Sequence, residues 1–225
     1  MLNWAARYYP IVRVLKKHGL FHDASLLEIG SGPIGIGRFR PVPFVGCDLF
    51  FPFAPAWPMT AITASATQLP MKDKEFDVVL ASDMLEHVPP DLRETVIGEC
   101  LRVAKKLVIF GFPCGPLAWQ SDRALFQYYT DAKLSPPEWL AEHMEAPFPD
   151  NDSIRAVDGW DLERIGNESI RFHSWMMRKE MSIRFIHASS QALRFVPFLV
   201  EAFLRMADRS PFYRQIFVLS RRNQN

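Results

Sequence analysis

Residues 25–39 read SLLEIGSGPIGIGRF, and this stretch decides the fold. Its first five residues form a short apolar run, which predicts a buried β-strand, and the run leads into Gly30, Gly32 and Gly35 in the spacing G-x-G-x-x-G. Residues 44–48, FVGCD, predict a second strand that ends at an acid. A glycine loop after one strand and an acid at the end of the next are typical of a dinucleotide site at the edge of a parallel sheet.

Apolar runs and helical spacing alternate along the rest of the chain. Pro89–Ala104 carries apolar residues at helical spacing between two strongly apolar runs, so it predicts a β-α-β unit with a right-handed crossover. We therefore expect an α/β fold: a doubly wound, mostly parallel seven-stranded sheet with a helical insertion near the C-terminus. The predicted strands are residues 25–29, 44–48, 61–64, 76–81, 106–110, 159–165 and 213–220.

The length of 225 residues suits one domain with a full core. We expect a single domain over residues 1–225, in which residues 1–113 bind the cofactor and residues 114–225 form the acceptor side. Residues 168–208 are mostly helical in pattern, and because long insertions in compact domains are commonly functional, we expect them to form a lid over the acceptor rather than part of the cofactor site.

Composition excludes several classes of protein. The net charge is +1 from 26 basic and 25 acidic residues, so no overall field attracts the chain to nucleic acid. Its three cysteines fit neither a disulfide framework nor a zinc motif. Residues 1–20 predict an amphipathic helix rather than a secretion signal, and prolines interrupt the uncharged stretch at residues 49–71. We expect a cytoplasmic protein without a transmembrane segment.

The glycine loop admits two interpretations. Its spacing and Asp48 fit an NAD(P)-dependent oxidoreductase. A pyrophosphate, however, binds at a helix N-terminus, and Gly37, Pro41 and Pro43 leave room for little more than one helical turn. S-adenosylmethionine has no phosphates and needs only glycine backbone and acids. Glu28 before the loop would orient the loop and the ligand's ammonium group, and Asp48 would accept the ribose hydroxyls.

The wider pattern resembles the class I methyltransferases often called type 11. The stretches LLEIGSGPIGIGRF, VGCDL and ATQLPMKDKEFDVVLASDMLEHVPP occur in the order found in that family, and the resemblance covers residues 25–113. It implies S-adenosylmethionine as cofactor. It also implies a set of cofactor-binding residues: Glu28, Gly30, Ser31, Gly32, Asp48, Leu49, Ser65, Ala66, Ser82 and Asp83. Ile34 and Ser65 depart from the usual pattern, which keeps open a cofactor-binding protein without turnover.

The D-x-x-E-H cluster after the fourth strand carries the catalytic candidates. We take His87, whose ordinary pKa is about 6.5, as a group that accepts a proton from the methyl acceptor, and Asp83 as a second catalytic candidate. The alternative is a turn in which the histidine bonds to backbone. Similarity to the ubiquinone-pathway O-methyltransferases implies a further alternative, a divalent cation held by Asp83, Glu86 and His87. Our prediction assigns no metal site.

The acceptor itself is expected to be a small molecule or a glycan or lipid precursor. Residues 138–143, EWLAEH, either line the acceptor pocket or pack as a surface helix. His173, Trp175, Met176 and Met177 either cover the acceptor or belong to the core. The apolar segment Ala192–Ala207 is expected to be buried or to form a subunit contact, which leaves a homodimer open.

Overall fold

The computed structural model describes residues 2–180 and 183–222, except the side chain of Ile183. Seven strands form one sheet in the order β3-β2-β1-β4-β5-β7-β6, in which β7 runs antiparallel to both neighbours and the other adjacent pairs are parallel. The predicted doubly wound α/β fold is confirmed. The strands are β1 (Leu26–Ile29), β2 (Phe44–Asp48), β3 (Met59–Thr63), β4 (Phe76–Ser82), β5 (Ala104–Pro113), β6 (Trp160–Ser169) and β7 (Phe212–Arg221).

Helices cover both faces of the sheet. They are α1 (Leu2–Lys17), α2 (Arg93–Val103), α3 (Gly115–Asp131), α4 (Glu138–Glu142), α5 (Ile170–Glu180), α6 (Ile183–Phe195) and α7 (Pro197–Ala207). Neighbouring strand residues point to opposite faces, so Val79 packs with α2 in one core while Val78 packs with α1 in the other. Such two-sided burial explains why the parallel strands read as continuous apolar runs.

A separate apolar core joins the helices beyond the carboxyl edge of the sheet. It contains Leu2 of α1, Leu125 of α3, Leu140 of α4, Met176 of α5 and Leu204 of α7. The predicted helical character of residues 168–208 is confirmed by α5, α6 and α7. This helical cap is built from both ends of the chain, because the first residues of α1 also belong to it.

Two parts of the C-terminal half differ from expectation. The 17-residue helix α3 was not predicted, because one position of its buried stripe, Asp122, is polar and hides the period. The segment Ala192–Ala207 is only partly buried: Val200 and Leu204 pack inward, while Phe195 and Phe198 are exposed, so the alternative of a subunit contact stays a prediction. Among the described residues, no helix is long and apolar enough to cross a membrane.

Strand directions bring distant residues to one edge. The carboxyl ends of β1, β2, β3, β4 and β5 meet there, because these strands are parallel. The antiparallel strand β7 starts at the same edge, where Arg214 pairs with Pro113. Strand β6 ends there as well, since Ser169 pairs with Phe212. Ligands bind at this edge in open α/β sheets.

Candidate active site

The glycine loop is a tight backbone turn fixed from two sides. Gly30 and Gly32 have positive φ angles of 68° and 52°, which glycine adopts without strain. The Gly30 amide donates to the Cys47 carbonyl at 2.8 Å, and the Gly32 amide donates to Asp48 Oδ2 at 2.8 Å. A Cβ at Gly30 would collide with the side chain of Met84. The loop that follows forms only a four-residue 3₁₀ turn, Gly35–Arg38, as the short spacing predicts.

Glu28 is a positioning residue beneath this loop. Its carboxylate is fully buried and accepts hydrogen bonds from the Tyr8 hydroxyl at 2.8 Å and from the Ile36 amide at 2.7 Å. Burial raises the pKa of Glu28 to about 7, although these hydrogen bonds oppose the shift. The predicted role in orienting the loop fits this geometry. Glu28 lines neither of the two cavities described below, and its predicted contact with the ligand's ammonium group, direct or through water, stays a prediction.

A cavity of about 360 Å³ opens above the loop, and we call it the glycine-loop cavity. Of the residues predicted to bind the cofactor, it is lined by Gly30, Asp48, Leu49, Ser65, Ala66 and Asp83. Glu28, Ser31, Gly32 and Ser82 do not line it. Much of the remaining lining is apolar and was not predicted from the sequence; it includes Met84, Val88, Pro89, Leu92 and Val96.

Asp48 and Ser65 are two of the polar residues that line this cavity. Asp48 Oδ2 accepts the Gly32 amide and Oδ1 accepts the Leu49 amide, each at 2.8 Å, so both oxygens keep a free lone pair. The Ser65 hydroxyl lies 2.7 Å from the Thr67 hydroxyl and accepts the Thr67 amide at 3.2 Å. Asp48 can therefore accept two vicinal hydroxyls, while Ser65 mainly shapes its turn.

A second cavity, of about 380 Å³, lies beside the first, and we call it the histidine cavity. The two share only Asp83 and His87 among the described residues. The histidine cavity is lined by residues of α1, the turn after β4, the end of β5, α4 and the residue after it, α5, α6 and β7. They include Trp4, Arg7, Glu86, Trp139, His143, His173, Met177, Tyr213 and Arg214. Because α1 also lines this cavity, residues 114–225 do not form it alone, and the predicted division at residue 113 stays a prediction.

Asp83 is neutralised by two arginines. Arg214 Nε donates to Oδ1 at 2.6 Å and its Nη2 donates to Oδ2 at 2.7 Å, while Arg7 Nε lies 2.8 Å from Oδ2. Burial alone would raise the pKa of Asp83, but the two guanidinium groups outweigh it and hold that pKa well below its usual range. A carboxylate held so firmly as an anion cannot accept a proton near neutral pH. Asp83 is therefore unsuited to act as a base, and its predicted catalytic role stays a prediction.

His87 faces both cavities. Its Nδ1 lies 2.8 Å from Glu142 Oε2, and its ring centre lies 4.9 Å from that of His143. Burial and the neighbouring His143 lower the pKa of His87, against the opposing effect of Glu142. Of the two predicted catalytic residues, only His87 has a side chain without an arginine partner, so it is the one that can accept a proton from a bound acceptor.

A hydrogen-bonded network not foreseen from the sequence supports the histidine cavity. Asp122 Oδ2 lies 2.7 Å from His143 Nδ1 and accepts the Tyr213 hydroxyl at 2.8 Å. Arg214 Nη1 donates to Glu168 at 2.7 Å, and Glu168 lies 3.1 Å from His173 Nδ1. Buried charges need such partners, so these residues hold the cavity in one shape.

Some of the other residues predicted for the acceptor side line the histidine cavity, and others do not. His143 lines the histidine cavity with Trp139, which favours the pocket interpretation of residues 138–143. His173 and Met177 also line it, whereas Met176 packs in the core of the helical cap. Trp175 is 45% exposed and lines neither cavity, so it is not a core residue, and a part in covering the acceptor stays a prediction.

Comparisons with known proteins agree on the fold. Residues 45–111 match a family model described as "Methyltransferase domain". The magnesium protoporphyrin IX methyltransferase of Synechocystis PCC 6803 with bound S-adenosylhomocysteine is similar at a TM-score of 0.51 and 15% identity, over 95% of this chain and 81% of that one.

A second similar structure is phosphoethanolamine N-methyltransferase 2 of Haemonchus contortus, in complex with phosphomonomethylethanolamine and S-adenosylhomocysteine. Its TM-score is 0.50 at 17% identity, over 96% of this chain and 53% of that one, so this chain spans about half its length. No curated protein matches the sequence.

Proposed function

We propose that the chain is an S-adenosylmethionine-dependent methyltransferase that methylates a small polar molecule held in the histidine cavity. The observation that carries this proposal is the pair of adjoining cavities that meet at Asp83 and His87. Each has the volume of a small-ligand site. A donor in one and an acceptor in the other would place the transferred methyl group at the junction.

The glycine-loop cavity fits S-adenosylmethionine. Its apolar wall suits an adenine ring, Asp48 offers free lone pairs for the ribose hydroxyls, and the glycine backbone can approach a charged amino acid moiety closely. The cofactor supplies an activated methyl group on a sulfonium. The protein then has to position the acceptor in line with that group and to exclude water.

The histidine cavity suits an acceptor with polar groups. Its wall combines the imidazoles of His87 and His143 with Trp4, Trp139 and Met177. The charges of Arg7 and Arg214 are balanced by Asp83 and Glu168. In this proposal the acceptor's nucleophilic atom lies against His87, the side chain nearest the junction that has no arginine partner.

We expect S-adenosylhomocysteine to bind with a Kd in the micromolar range and NAD to show no measurable binding. The loop offers glycine amides and one ribose carboxylate, but the four-residue 3₁₀ turn supplies no helix dipole for a pyrophosphate. Isothermal titration calorimetry with both ligands checks this. Tighter binding of NAD than of S-adenosylhomocysteine would contradict the assignment of the cavity.

Ile186→Ala is expected to raise the KM for the acceptor several-fold, roughly 1 kcal/mol, while S-adenosylhomocysteine affinity changes less than about threefold. Ile186 of α6 lines the histidine cavity only and is 39% exposed, so its loss should cost little stability. Trp175→Ala is the matched control, since Trp175 lies on the same cap outside both cavities.

The measurement is labelled-methyl transfer to a panel of small polar acceptors, with calorimetry on the same samples. Equal KM values for the two variants, or loss of cofactor binding in the folded Ile186→Ala protein, would show that the histidine cavity is not the acceptor site.

A further inference from the structure

Glu86 is a buried carboxylate without a hydrogen-bond partner among the described residues. It lies in the 3₁₀ turn Leu85–His87 that follows β4, its side chain is 1% exposed, and neither of its oxygens has a hydrogen-bond partner among the described residues. A buried anion left in this state is costly, and proteins generally compensate it with a bound proton, a cation or a metal ion.

Two histidines next to Glu86 are oriented in the same way. His143 Nδ1 lies 2.7 Å from Asp122 and His87 Nδ1 lies 2.8 Å from Glu142, so in each ring Nδ1 donates its proton to a carboxylate. This tautomer leaves a lone pair on Nε2. His143 Nε2 is buried and has no hydrogen-bond partner, and His87 Nε2 lies 4.0 Å from Glu86 Oε1.

We propose that Glu86, His87 and His143 bind a divalent transition-metal ion at the floor of the histidine cavity. One donor atom from each residue lies within 4.8 Å of the others. In a tetrahedral zinc site, bonds of about 2.0 to 2.1 Å place donors about 3.3 Å apart, so closure requires only small side-chain movements. Asp122 and Glu142 supply the outer carboxylates that usually orient metal-binding histidines.

The donor set also identifies the type of ion. Two imidazoles and one carboxylate suit Zn²⁺, Co²⁺ or Fe²⁺, whereas Mg²⁺ and Ca²⁺ prefer oxygen ligands alone. These ligands differ from the acid-rich set that the sequence offered as an alternative. Asp83 is held by Arg7 and Arg214, and His143 of the distant residues 138–143 takes its place.

Three protein ligands leave coordination positions open, as in catalytic zinc sites. All three ligands line the histidine cavity, so an open position would face the acceptor. There the ion would bind an acceptor oxygen, fix its position and lower its pKa, which favours the nucleophilic form. This consequence for catalysis rests on the proposed function, whereas metal binding itself does not.

The test uses chelator-treated protein titrated with Zn²⁺ against a chromophoric competitor, and with Co²⁺ by visible absorption. We expect one ion per chain and the absorption bands of a four- or five-coordinate Co²⁺ complex. Glu86→Gln and His87→Ala should each weaken Zn²⁺ binding at least 100-fold, and Asp122→Asn about 10- to 100-fold. His22→Ala is the matched control at an exposed histidine, with an expected change below twofold.

Circular dichroism checks that each variant is folded. We expect His87→Ala to destabilise the fold least, because the His87 side chain is 29% accessible to solvent. Binding of well under one ion per chain, or equal affinity in the parent, Glu86→Gln and His87→Ala, would overturn the proposal. Calorimetry with S-adenosylhomocysteine on the same samples separates the two proposals. Cofactor binding without Zn²⁺ binding refutes only the metal site, and Zn²⁺ binding without cofactor binding refutes only the proposed function.

Discussion

Replacing Arg214 with methionine is expected to lower the free energy of unfolding by about 3 to 5 kcal/mol, the range for breaking a buried ion pair from one side. Arg214 is 2% exposed and bonds both Asp83, whose side chain is 10% exposed, and Glu168, whose side chain is 1% exposed. Methionine fills much of the same volume but leaves Asp83 without its main partner and Glu168 with His173 alone. The cost therefore comes from desolvated charge rather than from lost packing.

Urea unfolding followed by circular dichroism measures this change. Arg222→Met is the matched control, because Arg222 pairs with Asp161 at 2.7 Å in an exposed position, and we expect a change within about 0.5 kcal/mol. Adding Asp83→Asn and Glu168→Gln to the Arg214→Met protein should restore part of the loss. A loss under about 1 kcal/mol in Arg214→Met alone would mean that the two carboxylates are not buried as described.

The strands of the sheet could be predicted because the sequence pattern of each strand lies within a few consecutive residues. Runs such as FVGCD at 44–48 carry strand propensity and two-sided burial within five residues, and the structure gives β2 the predicted bounds. The glycine loop is local as well, and its positive φ angles explain why glycines stand at Gly30 and Gly32. The family resemblance rested on these stretches, and the family match over residues 45–111 confirms it.

The histidine cavity could not be predicted because its contacts are long-range. Asp83 and Arg214 are 131 residues apart, and Tyr213 reaches Asp122 across 91 residues. Two polar residues within apolar patterns were the available signals: Arg214 near the start of the apolar run YRQIFVLS, and Asp122 on the buried stripe of α3. A charged residue at a core position predicts a hydrogen-bond or ion-pair partner elsewhere in the chain, but the sequence does not show which residue that partner is.

The packing of helices α6 and α7 could not be predicted for a different reason. The composition of Ala192–Ala207 predicted burial or a subunit contact, and Phe195 and Phe198 are exposed because Pro197 begins a new helix and only one face of α7 packs on the cap. Composition alone does not fix which face of a helix meets the core.

Asp48→Ala is expected to weaken S-adenosylhomocysteine binding by about 1.5 to 3 kcal/mol, the range for losing charge-assisted hydrogen bonds. This corresponds to roughly 10- to 150-fold in Kd. The substitution removes the two lone pairs available to the ribose, and it also frees the Gly32 and Leu49 amides that Asp48 now accepts. Asp48→Asn keeps one oxygen as an acceptor, so its loss should be smaller.

Calorimetry with S-adenosylhomocysteine gives these differences directly, and Asp23→Ala serves as the matched control at an exposed aspartate away from the cavity. The comparison of Ala with Asn separates the two roles of Asp48. If loop order dominates, Asn should recover most of the affinity, because one oxygen can still accept a backbone amide. If ribose binding dominates, Asn should recover little, because a neutral amide accepts hydroxyls more weakly than a carboxylate. Unchanged affinity in folded Asp48→Ala would place the ribose elsewhere.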